Sequence, residues 1–208
     1  LKEQLGIRRL VLQIHDPSFP SRPDEDLGRG SPYSNGAGDF LEFARELGFD
    51  GVQLGPQGQT SSGNPCPYDG RLFPRDFLSI SLHGLATDPY WRGLLSKDTV
   101  QRIVDSRPTG TGRTHHQYAW LEISAALDEV MMSLRAWGPS RDDPLIREFV
   151  EFQDTHREWL SRDAGADFER HALAQFVLQR QHSQLREQFP DLKFYGDLQV
   201  GTGPQDAR

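Results

Sequence analysis

The sequence predicts an α/β protein built on parallel strands, and three stretches carry that expectation. Arg9-Leu10-Val11-Leu12-Gln13-Ile14 is a compact β-prone run, ended by a loop that holds Pro17 and Pro20. Phe40, Leu41, Phe43, Ala44 and Leu47 then recur at helical spacing and lead into a second short apolar-leaning run, Gly51 to Leu54. After a long stretch of helical periodicity, Leu192 to Val200 reads as a third strand. Strand, helix, strand in this order is a βαβ unit, expected to be right-handed, with its two strands parallel.

Taken in order, residues 21–38 are rich in Pro, Gly, Asp and Ser, so an irregular, exposed loop is expected there. Asp39 is a candidate N-cap for the first helix, and Gly48 a natural stop. Beyond Leu54 the chain breaks into a loop of Gly, Ser, Asn and Pro that runs to Tyr68. This is how the carboxyl end of a parallel strand looks when it feeds a binding loop, and also how an ordinary surface connection looks. Phe73 to Leu82 is too short to separate strand from folded loop, and Asp88-Pro89-Tyr90-Trp91 opens a less regular zone. Residues 105–116, DSRPTGTGRTHH, have no apolar face and read as a linker or mobile loop.

The gap from Leu54 to Leu192 is far longer than a simple crossover needs, so a helical insertion must fill much of it. Trp120 to Leu134 places Ile123, Leu127, Val130 and Leu134 on one face, with Met131 and Met132 expected to fill gaps in the core. Asp142-Asp143-Pro144 opens a second helix carrying Leu145, Ile146, Phe149, Val150 and Phe152. A third runs from Asp167 to Glu187 and ends at Phe189-Pro190. Asp197 sits near the carboxyl end of the third strand, where α/β folds gather ligand chemistry.

A formal charge of -7 argues against a broad nucleic-acid or acidic-membrane surface, because both require concentrated positive charge. No apolar run reaches membrane-spanning length. The single cysteine, Cys66, excludes an internal disulfide framework and suits a reducing, cytoplasmic setting. Beginning at Leu1 and stopping soon after a strand, the chain reads as an excised piece of a longer protein.

Searches for local chemistry narrow the field. The seven histidines, His115-His116, His171 and His182 among them, form no His-Glu-x-x-His motif, so neither a metal nor a cofactor is expected. Pro108 to Arg113 lacks the spacing and lysine of a phosphate loop, and no serine lies in a Gly-x-Ser-x-Gly elbow. Asp197 is the one carboxylate in a suggestive place.

Several pieces together resemble one family. His15-Asp16-Pro17-Ser18-Phe19-Pro20-Ser21 is similar to the His-x-Thr-Ser-Leu-Pro-Ser segment after the first strand of the 4-alpha-glucanotransferases, the amylomaltase or disproportionating-enzyme family. Leu54-Gly55-Pro56-Gln57-Gly58 and Gly63-Asn64-Pro65-Cys66-Pro67-Tyr68 resemble its Leu-Gly-Pro-Thr-Gly and Gly-Asn-Ser-Pro-Tyr loop. Phe77 to Leu82 resembles the next segment of that family, and Phe176 to Arg186 the helix before its third strand. Tyr195-Gly196-Asp197-Leu198 resembles Ile-Gly-Asp-Leu.

The resemblance implies the first three strands of a (β/α)8 barrel, a partial TIM barrel, with a long helical insertion between strands two and three. Residues 1–82 would supply two barrel strands and substrate loops, 83–166 the mainly helical insertion, and 167–208 the barrel helix and third strand. The implied activity breaks an α-1,4-glucosidic bond and passes the glucan to another sugar's 4-hydroxyl through a covalent glycosyl-enzyme, with two carboxyl groups flanking the bond. In the family both come from later strands, so the nucleophile and acid/base are expected outside this chain, leaving Tyr68 and Asp197 as candidate substrate-binding residues. The implied partners are malto-oligosaccharides or other α-1,4-glucans and the remainder of the barrel. The chain departs from the family at Phe49 to Leu54, at Cys66, in the loop Ser31 to Gly36 and at Gln199-Val200-Gly201-Thr202, which leaves room for a divergent member. Two other readings stay open: a non-catalytic carbohydrate-binding or structural module from the same barrel, and an unrelated soluble α/β domain.

Overall fold

The structure is a computed structural model that describes Lys2, Gln4 and residues 6–71, 73–110, 113–138 and 142–197. Three short strands, β1 (Val11–Ile14), β2 (Gly51–Leu54) and β3 (Lys193–Tyr195), form one open parallel sheet in the order β1-β2-β3. Helix α1 (Asn35–Glu46) crosses from β1 to β2. Between β2 and β3 come α2 (Leu82–Thr87), α3 (Lys97–Ser106), α4 (His116–Trp137), α5 (Pro144–Thr155), α6 (Arg157–Asp163) and α7 (Phe168–Gln188). This is the expected α/β architecture of three parallel strands with a long helical insertion before the third. Predicted strand residues Leu198, Gln199 and Val200 lie outside the described residues.

Side chains alternate across a strand, so Ile14, Val52, Leu54 and Phe194 share one face. That face is covered: Val52 and Leu54 are buried with Leu41 and Ala37 of α1, Leu185 of α7, and Phe189 and Leu192 after it. A second, larger core joins the insertion helices to α7 through Ile103, Ile123, Leu127, Leu145, Phe149, Leu173 and Val177, with Trp91 buried among them. The predicted periodicity of α4 matches this core at Ile123, Leu127 and Val130, and Met131 is buried as expected, whereas Met132 points to solvent at 64% exposure. The two methionines are adjacent, and a helix turns about 100° between them, so only one can face the core. Helices α3 and α6, unmarked in the sequence, carry only a few apolar residues each; Val100, Ile103 and Val104 bury the face of α3.

Residues 21–38 are more ordered than their composition predicts. Helix α1 begins at Ser34, not Asp39: the Ser34 hydroxyl accepts from Ala37 N at 3.1 Å. Buried Glu25 reaches the same helix end and accepts from Asn35 N and Gly36 N at 2.9 and 2.7 Å. A carboxylate satisfying these otherwise orphaned donors offsets the cost of burying it. Asp39 instead makes a two-pronged pair with Arg22, at 2.8 and 2.7 Å. Leu41 and Ala44 face inward, whereas Phe43 and Leu47, expected on the same apolar face, point to solvent. Gly48, at φ +89°, provides the expected stop. The predicted linker is also anchored, since His115 N donates to Gly28 O at 2.8 Å and Arg107 pairs with Asp26 at 3.0 Å; Thr111 and Gly112 within it lie outside the described residues.

The segment after the β2 loop is held by side-chain amides. Gln175 accepts from Arg75 N and donates to Arg75 O, both at 2.9 Å. Six residues along α7, buried Gln181 repeats the arrangement at Ser81 N and O, also at 2.9 Å. Each amide imitates a peptide group, so the two ends of the run from Arg75 to Ser81, which holds the 3-10 turn Phe77–Ser79 and a single bridge from Arg75 to Gly58, are satisfied against a helix.

Candidate functional site

The open face of the sheet carries the residues of the other phase, Val11, Gln13, Gln53 and Tyr195. Strand register also aligns the residues just beyond the strands. Ile14 pairs with Leu54 and Gln53 with Tyr195, so continuing the register sets His15 beside Gly55 one rung on and Gly55 beside Asp197 two rungs on. The Gly55 N–H donates to Ile14 O at 3.2 Å and continues the ladder. Three carboxyl-terminal strand ends thus present one row, His15–Gly55–Asp197. The glycine in the middle is a steric necessity, because a Cβ there would lie 2.8 Å from His15 Cγ. Its absence lets the imidazole lie across the centre of the row.

Tyr68 caps this row. Its hydroxyl lies 3.3 Å from His15 Nε2 and donates to Asp197 Oδ2, also at 3.3 Å. The tyrosine and histidine rings are tilted by 52° with centroids 5.6 Å apart. Burial first, and the nearby Asp197 carboxylate second, push the Tyr68 hydroxyl pKa up, so the phenol keeps its proton. The two candidate substrate-binding residues, Tyr68 and Asp197, are therefore brought into contact across 129 positions of chain. His15 is a site residue that the sequence does not single out, although it opens the segment that resembles a glucanotransferase one; its signal is its phase with Gln13 at a strand end.

The loop delivering Tyr68 is built by short polar contacts. Ser61 and Asn64 form a small bridge, the Asn64 amide donates to Asp69 at 2.8 Å, and Asn64 Oδ1 accepts from Cys66 N at 3.0 Å. These set up the single 3-10 turn Pro67–Asp69 on which Tyr68 sits. Cys66 is exposed and free. Below the loop, buried Asp76 accepts from Thr60 Oγ1 at 2.8 Å, from Gln59 Nε2 at 3.2 Å and from Leu78 N at 3.1 Å, and faces Arg29 at 3.5 Å. Buried Asp16 accepts from Gln57 Nε2 at 3.0 Å and Ser79 Oγ at 2.8 Å. Two carboxylates thus hold the loop root, which keeps the hydroxyl of Tyr68 aimed along the row.

The same loop lines a cavity of about 580 Å³ against the helices, with Asn64, Asp69, Phe77, Trp120 and Arg170 in its wall. Chemically the row offers a carboxylate acceptor, a phenol and an imidazole at one open surface beside this aromatic and polar cavity. Such groups can exchange hydrogen bonds with a polar ligand. Among the described residues, no group of three or more His, Cys, Asp or Glu side chains is placed to hold a metal ion. No described helix is long and apolar enough to cross a membrane.

No family model matches the chain, and no curated protein matches it. Solved structures do. An amylomaltase from Streptococcus agalactiae, solved in complex with acarbose, is similar at 17% identity with a TM-score of 0.69, over 94% of this chain and 44% of that one. The chain thus spans less than half the length of that amylomaltase. At this identity the likeness is one of fold, and it extends over nearly the whole of the chain.

Proposed function

We propose that the chain forms the sugar-binding first part of a 4-alpha-glucanotransferase-type barrel. The observation carrying this reading is the row His15–Gly55–Asp197 capped by Tyr68, at the strand ends where barrel enzymes collect their ligand contacts. Asp197 accepts hydrogen bonds from glucose hydroxyls while Tyr68 packs on the sugar and bonds it through its hydroxyl. The cavity beside Trp120 extends the surface along which an α-1,4-glucan of several units lies. In the complete reaction a carboxylate nucleophile displaces one glucan segment and an acceptor 4-hydroxyl takes up the other, the two carboxyl groups standing about 5–5.5 Å apart as in retaining enzymes. Those two groups belong to parts of the barrel outside this chain. Residues 1–82 and 167–208 supply the barrel portion, and 83–166 its helical wall.

The alternative is a non-catalytic carbohydrate-binding module of the same descent. What favours it is that Asp197 and Tyr68 form a hydrogen-bonded pair suited to holding hydroxyls, a task that needs no catalytic carboxyl groups. Titration with maltotriose tests the shared part: saturable binding, lost in Asp197→Asn, is expected, and no binding by the native chain removes both readings. A disproportionation assay on the intact gene product with short malto-oligosaccharides separates them. Longer and shorter glucans appearing together indicate transfer, and binding without either indicates the module.

A further inference from the structure

Asp16 presents an imbalance that the sugar-facing row does not explain. Its side chain is buried at 4% exposure, and Oδ2 accepts both hydrogen bonds, from Gln57 and Ser79. Oδ1 is equally buried and meets no protein donor. Buried polar atoms in folded proteins are almost always satisfied, by protein or by ordered water. Asp16 lines a small, partly enclosed space of about 20 Å³ together with His15, Arg29, Gln57, Asp76 and Ser79. This volume accommodates one water molecule, and the wall is polar enough to hold it. A cation is disfavoured, because the Arg29 guanidinium borders the same space.

The hydrogen-bond directions along the row demand a donor at the same place. The Tyr68 proton goes to Asp197, whose carboxylate only accepts. The phenol oxygen must then accept from His15 Nε2, 3.3 Å away, so in the neutral imidazole Nε2 carries the proton. Nδ1 is left as an acceptor, and His15 lines the same small cavity as Asp16. We propose that one ordered water occupies this cavity and bridges Asp16 Oδ1 to His15 Nδ1, making Asp16 a positioning residue for the His15–Tyr68–Asp197 row. Burial raises the pKa of Asp16 above the usual carboxylate range, against the hydrogen bonds from Gln57 and Ser79, which lower it. The water donates one proton to Asp16 Oδ1 and the other to His15 Nδ1, while Nε2–H donates to Tyr68 and Tyr68 to Asp197, with every proton used once.

The bridge stands on this geometry alone; its consequence for glucan binding rests on the sugar-binding function proposed for the row. Two measurements on the native chain decide it. A high-resolution crystal structure should show a water within hydrogen-bond distance of Asp16 Oδ1, and long-range proton–nitrogen correlation spectra should show His15 as the Nε2–H tautomer. A dry cavity, or a Nδ1–H tautomer, overturns the proposal. Asp16→Asn, which keeps a group able to hold the water, should preserve the His15 nitrogen shifts, whereas Asp16→Leu should move them toward a mixture of tautomers. Unmoved shifts in a folded Asp16→Leu would also overturn it. Failure of the native chain to bind maltotriose counts against the sugar-binding reading alone, since neither the water nor the tautomer depends on sugar.

Discussion

The two faces of the sheet come from the same three short strands and differ in almost everything else. On one, Val52 and Leu54 are sealed by α1 and the end of α7. On the other, Gln13 is exposed and Val11 is 40% exposed, and the face ends in the polar row His15–Gly55–Asp197. Apolar burial against helices stabilises the fold on the first face. The second contributes little burial and instead orders a few hydrogen-bonding groups at its rim. Stability and the proposed ligand contact thus fall on opposite phases of one alternation, so substitutions one residue apart, Leu54 and Gly55, should have different consequences.

The largest expected effect lies on the covered face. Leu41→Ala removes a side chain with no exposed surface and should cost about 2–5 kcal/mol in chemical denaturation. A loss well under 1 kcal/mol would show that α1 does not seal the sheet. Next comes Gln181→Ala, which leaves the buried N–H of Ser81 without a partner and its C=O with the Leu85 N–H alone, and should cost about 1–3 kcal/mol. Gln181→Glu should recover only part, because the carboxylate has no donor for Ser81 O.

Gly55→Ala, at the border between the two phases, should destabilise by about 1–3 kcal/mol through overpacking against His15. It should also weaken maltotriose binding, since the imidazole must leave the row. If binding weakens with stability intact, the glycine serves the site alone and the contrast between the faces sharpens. Tyr68→Phe should leave the denaturation midpoint unchanged and weaken maltotriose binding about five- to tenfold, the equivalent of one hydrogen bond. An unaltered binding constant would remove the Tyr68 hydroxyl from the proposed site.

The smallest effect is on pH dependence. Burial lowers the pKa of His182 to about 4, while its Nδ1 stands 3.5 Å from the Tyr33 hydroxyl. Unfolded, the group takes up a proton near its ordinary value of 6.5, so the unfolded state binds more protons between pH 6.5 and 4. The native state should therefore lose stability as pH falls through that window, with a slope that partial solvent screening holds below about 1.4 kcal/mol per pH unit. His182→Gln should flatten the slope in denaturation measured across the window.

Local periodicity and punctuation suffice for part of this molecule. β2, the end of α1 at Gly48, the start of α5 at Asp143 and the end of α7 before Pro190 depend on neighbours a few residues away, and all are legible in the sequence. Tyr68 and Asp197 each belong to a recognisable segment, but that they touch depends on strand register. Distant contacts fix the other features. Ser34 displaces Asp39 as the cap because Glu25 folds onto the same helix end, and Gln175 and Gln181 look like surface residues until the backbone of Arg75 and Ser81 arrives beside them. His15 enters the row because Gly55, 40 residues on, has no side chain to exclude it. A chain's local pattern sets which face a residue presents. A buried polar group also needs a partner, and which one comes within reach is a matter of tertiary contact alone.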